Sequence, residues 1–177
     1  MYQGNPSTNT TTDITQTPTE AEFWWFFGLW LSGSGPASTN YGPNDGWTKA
    51  LAGSITFNTV RQRYKSLGCP ALTTPNDAAQ LDSHHVPPFL DGYGGAINPN
   101  QATPNYPLME VGGFNVNAVT DNGVTTFALH NVAGWSSFSG ATTFGYSVND
   151  NQRGSTGILH NITQTFTWTE NNLCGNR

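Results

Sequence analysis

The dipeptide Asn122-Gly123 lies between two stretches in which apolar and polar residues alternate. Asn-Gly is the preferred centre of a type I′ turn, because both central residues of that turn take positive φ. With these two as the loop, Asp121 faces Val124, Ala118 faces Phe127 and Val116 faces Leu129. The apolar residues of both arms then fall on one face. A slip of one residue would turn every one of them over, so the agreement of the two arms specifies the register. The sequence predicts a β-hairpin here, with His130 on the polar face opposite Asn115.

The rest of the second half reads the same way. Phe144, Tyr146 and Val148 alternate in a strand predicted near Thr142 to Val148, and a turn-rich stretch runs from Asn149 to Gly157. A long last strand is predicted from Ile158 to Glu170. One face carries Ile158, His160, Ile162, Gln164, Phe166 and Trp168. The other carries a row of threonines, Thr163, Thr165, Thr167 and Thr169, which suits an outward sheet face. Residues 128–132 (ALHNV) echo residues 158–162 (ILHNI), as two equivalent strands would.

The first half is less regular. Met1 to Thr19 is Thr-rich and aperiodic and reads as an extended arm. Thr17 or Thr19 can cap a helix, with Glu20 and Glu22 in its first turn. The run from Phe23 to Leu31 then places aromatic and aliphatic side chains in every direction, whether helix or strand. Such a segment is buried on all sides, packed on a partner or set into a membrane interface. It has acids and no base on its flanks, so a membrane contact is not expected. Ser32 to Pro36 closes it. Asn44-Asp45-Gly46 opens a short helix from Trp47 to Ala52, and Ser54 to Val60 alternates as a strand does. Thr74-Pro75-Asn76-Asp77 starts a second short helix reaching His84, and Val86 to Tyr106 reads as loop. The expected fold is one mainly β domain over residues 20–177. It would be an antiparallel β-sandwich or jelly roll with one or two short helices in its N-terminal half.

Charge narrows the function. Only 10% of residues are charged, six are Lys or Arg, and the net charge is −5. Nucleic-acid binding draws on basic groups that displace phosphate counterions, so none is expected. The one basic cluster, Arg61 to Lys65, reads as a solvated strand or helix face. Cys69 and Cys174 are either a bridge closing a long loop or two free thiols.

Two groups of residues offer chemistry. Asp82-Ser83-His84-His85 would place Asp82 and His85 on one helical face, where the carboxylate can orient the imidazole or join it on a metal. This resembles the start of a His-metal nuclease site in some bacterial toxins, where one His is the base and neighbouring groups hold a divalent ion. The resemblance spans about seven residues, and the later Asn and His of that pattern are missing. The structural alternative is a helix C-terminus whose histidines meet exposed carbonyls. His160, on an apolar face, would join His84 or His85 on a metal or sit satisfied in the core. The second group is aromatic: Trp47, Tyr93, Tyr106 and Trp135, with Asp91 and Asn98, lie among Gly- and Asn-rich turns. An aromatic face beside polar groups suits a sugar, and equally suits the closed end of a sandwich.

These features favour a non-enzymatic extracellular module, or one on a cell or virion surface. It would bind a glycan or a protein neighbour without a cofactor, with self-assembly through residues 1–31. The alternatives are a hydrolase or nuclease toxin domain using one divalent metal ion at Asp82, His84 and His85, and a membrane-active protein using residues 23–31.

Overall fold

The computed structural model describes residues 19–70, 105–111, 114–134 and 157–175. Among these residues the elements, in chain order, are α1 (Glu20–Ser32), β1 (Ser38–Tyr41), α2 (Gly46–Ala52), α3 (Ile55–Ser66), α4 (Tyr106–Val111), β2 (Phe114–Asp121), β3 (Val124–Ala133) and β4 (Ile162–Asn171). The strands form one mixed sheet in the order β1-β4-β3-β2.

The hairpin has the register its sequence predicts: Asp121 pairs with Val124, Ala118 with Phe127, Val116 with Leu129 and Asn115 with His130. Asn122 and Gly123 both take positive φ, 49° and 77°, as a type I′ turn requires. β4 lies antiparallel to β3, with Phe127 opposite Trp168 and Leu129 opposite Phe166. β1 adds to the other edge of β4 in parallel, Tyr41 opposite Phe166. Four residues with no apolar alternation gave no strand signal.

The inward face of the sheet carries Phe114, Val116, Ala118, Phe127, Leu129, Phe166 and Trp168. They pack on Trp47 and Leu51 of α2, Phe57, Val60 and Tyr64 of α3, and Leu108 and Val111 of α4. Phe57 stacks on Phe114 and meets Trp168 edge-on, and Phe127 stacks on Trp168. Such pairs add about 0.5–1.5 kcal/mol each beyond their burial. Helices therefore occupy the place expected for a second sheet, and no sandwich or jelly roll is seen among the described residues. The outward face exposes Asn115, Val119, Thr126, His130, Val132, Thr163 and Thr169, and the threonine row lies on it as expected, with Thr165 and Thr167 half-buried.

Three local expectations are corrected. Residues 54–60 are not a strand: Ser54 caps α3, its Oγ accepting from Phe57 N at 3.2 Å. Six residues of alternation are also compatible with a helix. The fuller pattern Phe57, Val60 and Tyr64, all buried, has the helical spacing. The last strand begins at Ile162, because Leu159 takes a left-handed φ of 59° and breaks the extended chain. For the same reason residues 158–162 are a turn entering a strand and are not equivalent to 128–132 in β3. Of the loop read over 86–106 only residues 105 and 106 are among those described, and Tyr106 already belongs to α4. Asn105 starts it, its Oδ1 accepting from Leu108 N at 3.0 Å, and Pro107 sits in the first turn where no N–H is needed. The helix predicted over 47–52 is present as α2, with Asp45 accepting from Trp47 N at 2.9 Å.

Cys69 and Cys174 form a disulfide across 105 residues, with Cα atoms 6.2 Å apart. Beside it the Tyr64 hydroxyl reaches both the Pro70 carbonyl, at 2.9 Å, and Thr120 Oγ1, at 3.1 Å. The tail after β4 is thus tied to the end of α3. The strand predicted over 142–148 and the helix over 77–84 lie outside the described residues, as does the arm predicted over 1–19 except for Thr19, which caps α1.

Candidate functional site

α1 is fixed at both ends. Thr19 and Glu22 form a capping box: Glu22 N donates to Thr19 Oγ1 at 3.3 Å and Thr19 N to Glu22 Oε2 at 2.7 Å. Gly33 ends the helix at φ 70°, and a Cβ there would stand 2.2 Å from the Gly157 carbonyl oxygen. Only glycine fits both that conformation and that approach. Leu159 N then donates to Trp30 O at 3.2 Å. With the ends held, the helical period sorts the aromatic run into two faces. Phe23, Phe26 and Trp30 turn inward, and Phe26 and Trp30 cluster with Ala133 and Ile162 at the end of the sheet. Trp24, Trp25 and Leu31 turn outward, 54%, 64% and 48% exposed. At about 100° per residue, Gly28 is the centre of that outward face, between Trp24, Trp25 and Leu31. A Cβ on Gly28 would meet no atom within 4 Å. Trp24 is partly organised: its indole N–H donates to Glu20 Oε1 at 3.1 Å, and its ring meets Phe23 and Phe27 edge-on. Half of the aromatic run is therefore buried in this domain as expected, and half is not.

A cleft of about 380 Å³ opens between α2, α3 and β4, lined by Pro43, Thr48, Lys49, Arg61, Trp168 and Glu170 among others. Arg61 and Glu170 form its wall. Arg61 Nε donates to Glu170 Oε1 at 2.9 Å and to Oε2 at 2.8 Å, and Nη2 donates to Oε1 at 2.6 Å. Nη1 donates to Asn58 Oδ1 and Nη2 also donates to the Ala52 carbonyl. Trp168 Nε1 donates to Glu170 Oε1 at 2.9 Å. Burial alone would raise the Glu170 carboxyl, but the hydrogen bonds from Arg61 and Trp168 and the Arg61 charge outweigh it and hold the group below the ordinary carboxylate range.

A chain of polar side chains crosses the core. Asn131 Nδ2 donates to Gln164 Oε1 at 2.7 Å, and Gln164 Nε2 donates to Glu110 Oε1. Gln164 and Glu110 are fully buried, and Asn131 nearly so. Burial pushes the Glu110 carboxyl well above the ordinary range, against the opposing hydrogen bond from Gln164. The Tyr41 hydroxyl is raised too, by burial first and by the Glu110 charge second. Glu110 Oε2 and Asn131 Oδ1 have no hydrogen-bond partner among the described residues. The sequence placed Gln164 on the inward face of its strand but carried no sign that Glu110, in an unpredicted helix, would meet it.

The sequence-nominated residues separate. Trp47 is 6% exposed and packs against Phe26 and Tyr41. Tyr106 is half-buried with its ring 5.8 Å from that of Phe23. Asp91, Tyr93, Asn98 and Trp135 lie outside the described residues, as do Asp82, His84 and His85. His160 is buried, with Nδ1 3.0 Å from the Gly157 carbonyl oxygen and Nε2 3.4 Å from that of Pro36. His130 is exposed on the outward face, 3.4 Å from Thr165 Oγ1. Among the described residues no group of three or more His, Cys, Asp and Glu side chains is arranged to hold a metal ion. No described helix is long and apolar enough to cross a membrane. The Arg61–Glu170 cleft went unnoticed because Arg61 read as part of a solvated basic cluster.

Comparison with known protein families, with curated proteins and with solved structures finds no match to this chain.

Proposed function

We propose that this chain is a non-enzymatic, self-assembling module of an extracellular or surface setting, and that α1 is the contact between copies. The observation that carries the reading is the outward face of α1, where Trp24 and Trp25 are more than half exposed on a helix fixed by its caps and its buried face. Tryptophan is the residue most enriched at the energetic centres of protein interfaces. The face is also self-complementary in shape. Gly28 is a notch at its centre and the tryptophans are the ridges beside it. Two α1 helices crossing antiparallel at Gly28 would set the tryptophans of each along the notch of the other, an isologous contact. Glu20 of one copy would then lie about 24 Å along the axis from Glu20 of the other, at 1.5 Å per residue. That exceeds the screening length of about 8 Å at physiological salt, so the acidic ends do not oppose pairing. The Cys69–Cys174 bridge supports an oxidising compartment, and so the extracellular or surface setting.

Sedimentation velocity across a concentration series tests the reading. The wild type should associate, and a Trp24→Ala/Trp25→Ala double variant should sediment as a monomer with an unchanged circular dichroism spectrum. A wild type that stays monomeric at every concentration would overturn it. So would wild-type binding to anionic liposomes that the double variant loses, which would move the face to a membrane.

A further inference from the structure

We propose that α4 is a pH-sensitive strap, which closes over the sheet while Glu110 carries a proton and undocks when that carboxyl ionises, withdrawing support from α1. Six residues are too few to hold a helix in water, so α4 keeps its form only through what it buries. Pro107, Leu108, Met109, Glu110 and Val111 are all buried. Contacts to three different elements fasten it. Asn105 Nδ2, at its start, donates to the Ala50 carbonyl of α2 at 2.7 Å. The Tyr106 ring lies 5.8 Å from that of Phe23 on α1. Glu110 Oε1 accepts from Gln164 Nε2 on β4, and that contact depends on the charge of Glu110.

The surroundings of Glu110 suit the acid and not its anion. A buried carboxylate is stabilised by a nearby cation or by several hydrogen-bond donors. Glu110 has one neutral donor, the Gln164 amide, and its Oε2 has no partner among the described residues. The charged groups of the neighbouring elements do not compensate. Lys49 of α2 is exposed at the cleft, Arg61 of α3 is engaged by Glu170 of β4, and Arg63 and Lys65 are exposed. His130 of β3 faces outward, and Asp121 is exposed at the turn of β2. Glu20 and Glu22 of α1 and Asp45 before α2 carry the same sign as an ionised Glu110. Tyr41 of β1 is itself held neutral by burial and by the Glu110 charge. Burial accordingly pushes the Glu110 carboxyl well above its ordinary range. The strap is therefore closed at acid pH, and opens as pH rises through the closed-state value, which lies above the value of about 4.3 for an open, solvated glutamate. The strain is relieved at α4 because Gln164 and Asn131 are fixed in paired strands, and the Cys69–Cys174 bridge ties α3 to the tail after β4 without passing through α4. Undocking takes Tyr106 away from Phe23, whose ring also meets Trp24 edge-on at 5.2 Å. The strap thus braces the face of α1. Its effect on association rests on the reading of α1 as the contact between copies, and the strap itself does not.

Met109 stands beside Glu110 and is the one methionine besides Met1, so 13C-methyl methionine labelling gives α4 its own reporter. Methyl NMR spectra of the full chain from about pH 5 to about pH 9.5 cover the range in which buried glutamates titrate, up to about 8–9. The Met109 signal should hold a dispersed position at low pH and move to the free-methionine position as pH rises. The methyl signals of Val60 in α3 and Leu129 in β3 should stay in place. Glu110→Gln cannot ionise, and should keep Met109 dispersed throughout. A Met109 signal that does not move, one that moves at the same pH in Glu110→Gln, or one that moves together with Val60 and Leu129 would each overturn the strap. The first and third of these need no variant. Sedimentation velocity at the two ends of the range reads the consequence. The wild type should associate about tenfold more weakly at the upper end, within the usual range for coupling between sites, and Glu110→Gln should lose that dependence. Equal association of the wild type at both ends would overturn the coupling to α1. No association at any pH would overturn the reading of α1, and the Met109 signal would still decide the strap.

Discussion

The layer beneath the middle of the sheet and the helix at its end are built from similar residues to different degrees of completion. Under the sheet, Phe57, Phe127, Phe166 and Trp168 each meet other aromatic rings, and all are at most 5% exposed. The polar groups there are arranged as well: Arg61 and Glu170 hold each other, and the disulfide closes the tail onto α3. α1 shares that logic on one face only. Phe26 and Trp30 join a smaller cluster with Ala133 and Ile162, and Phe26 also meets the ring of Trp47, while Trp24 and Trp25 point away. A helix that needed only to cover the end of the sheet would carry polar residues on its outward face. On the proposed reading, the middle layer is finished by this chain and α1 by another copy.

The largest way to break the comparison is through the disulfide. Loop entropy for a closure of about 100 residues is worth about 4.7 kcal/mol, so Cys174→Ser should lower the stability of the sheet and α3 by several kcal/mol in urea unfolding. α1 should not be singled out. A variant as stable as the wild type would mean that the tail contributes nothing to the middle layer.

Next come paired truncations. Phe57→Ala should cost about 3–5 kcal/mol and lower the whole transition. Trp30→Ala removes as large a side chain from the smaller cluster, so it should release α1 locally, with loss of protection there before the sheet unfolds. If both variants lower a single transition equally, α1 belongs to the same cooperative unit and the contrast fails.

Two glutamates, Glu110 buried and Glu170 half-buried, sharpen the comparison through pH. Glu110 has a raised folded-state pKa, so its contribution is fully present below the unfolded value of about 4.3 and is lost as pH rises through the folded value. Glu170 has a lowered one, so its contribution is present above about 4.3 and lost as pH falls through the folded value. Glu110→Gln should flatten the decline of stability on the alkaline side of that point. Glu170→Gln should flatten the decline on the acid side, at a cost of about 1–3 kcal/mol near neutrality, between the surface and fully buried limits for an ion pair. Unchanged slopes in either variant would contradict the assignment.

The smallest effect is the most specific. Gly28→Ala places a methyl group in open space on α1, and should stabilise the monomer by about 0.5–1 kcal/mol through helix propensity. The same methyl fills the notch and should weaken association. Opposite signs for monomer and assembly are the mark of a contact surface, and equal signs would deny it.

How much of this was legible in the sequence follows from how local each cause is. The hairpin was legible down to its pairs, because Asn122-Gly123 and two matching alternations are contiguous. The inward residues of β4 were legible for the same reason, although its start was not, since nothing marked Leu159 for a left-handed φ. Residues 54–60 misled because a short alternating run satisfies a strand and the first turns of a helix alike. β1 and α4 are too short to show a period. The Arg61–Glu170 pair, 109 residues apart, and the meeting of Glu110 with Gln164 depend on packing that no local pattern encodes. The aromatic run announced that it needed burial, and only its helical period and caps divided it into a covered face and an open one.

Amide hydrogen exchange measured over a range of protein concentrations addresses the outward face of α1 most directly. Protection of α1 should rise with concentration as copies associate, while protection of α3 and β3 stays constant because their burial is complete within one chain. Protection of α1 that is independent of concentration, or that changes together with α3 and β3, would contradict the assignment of this face as the contact between copies.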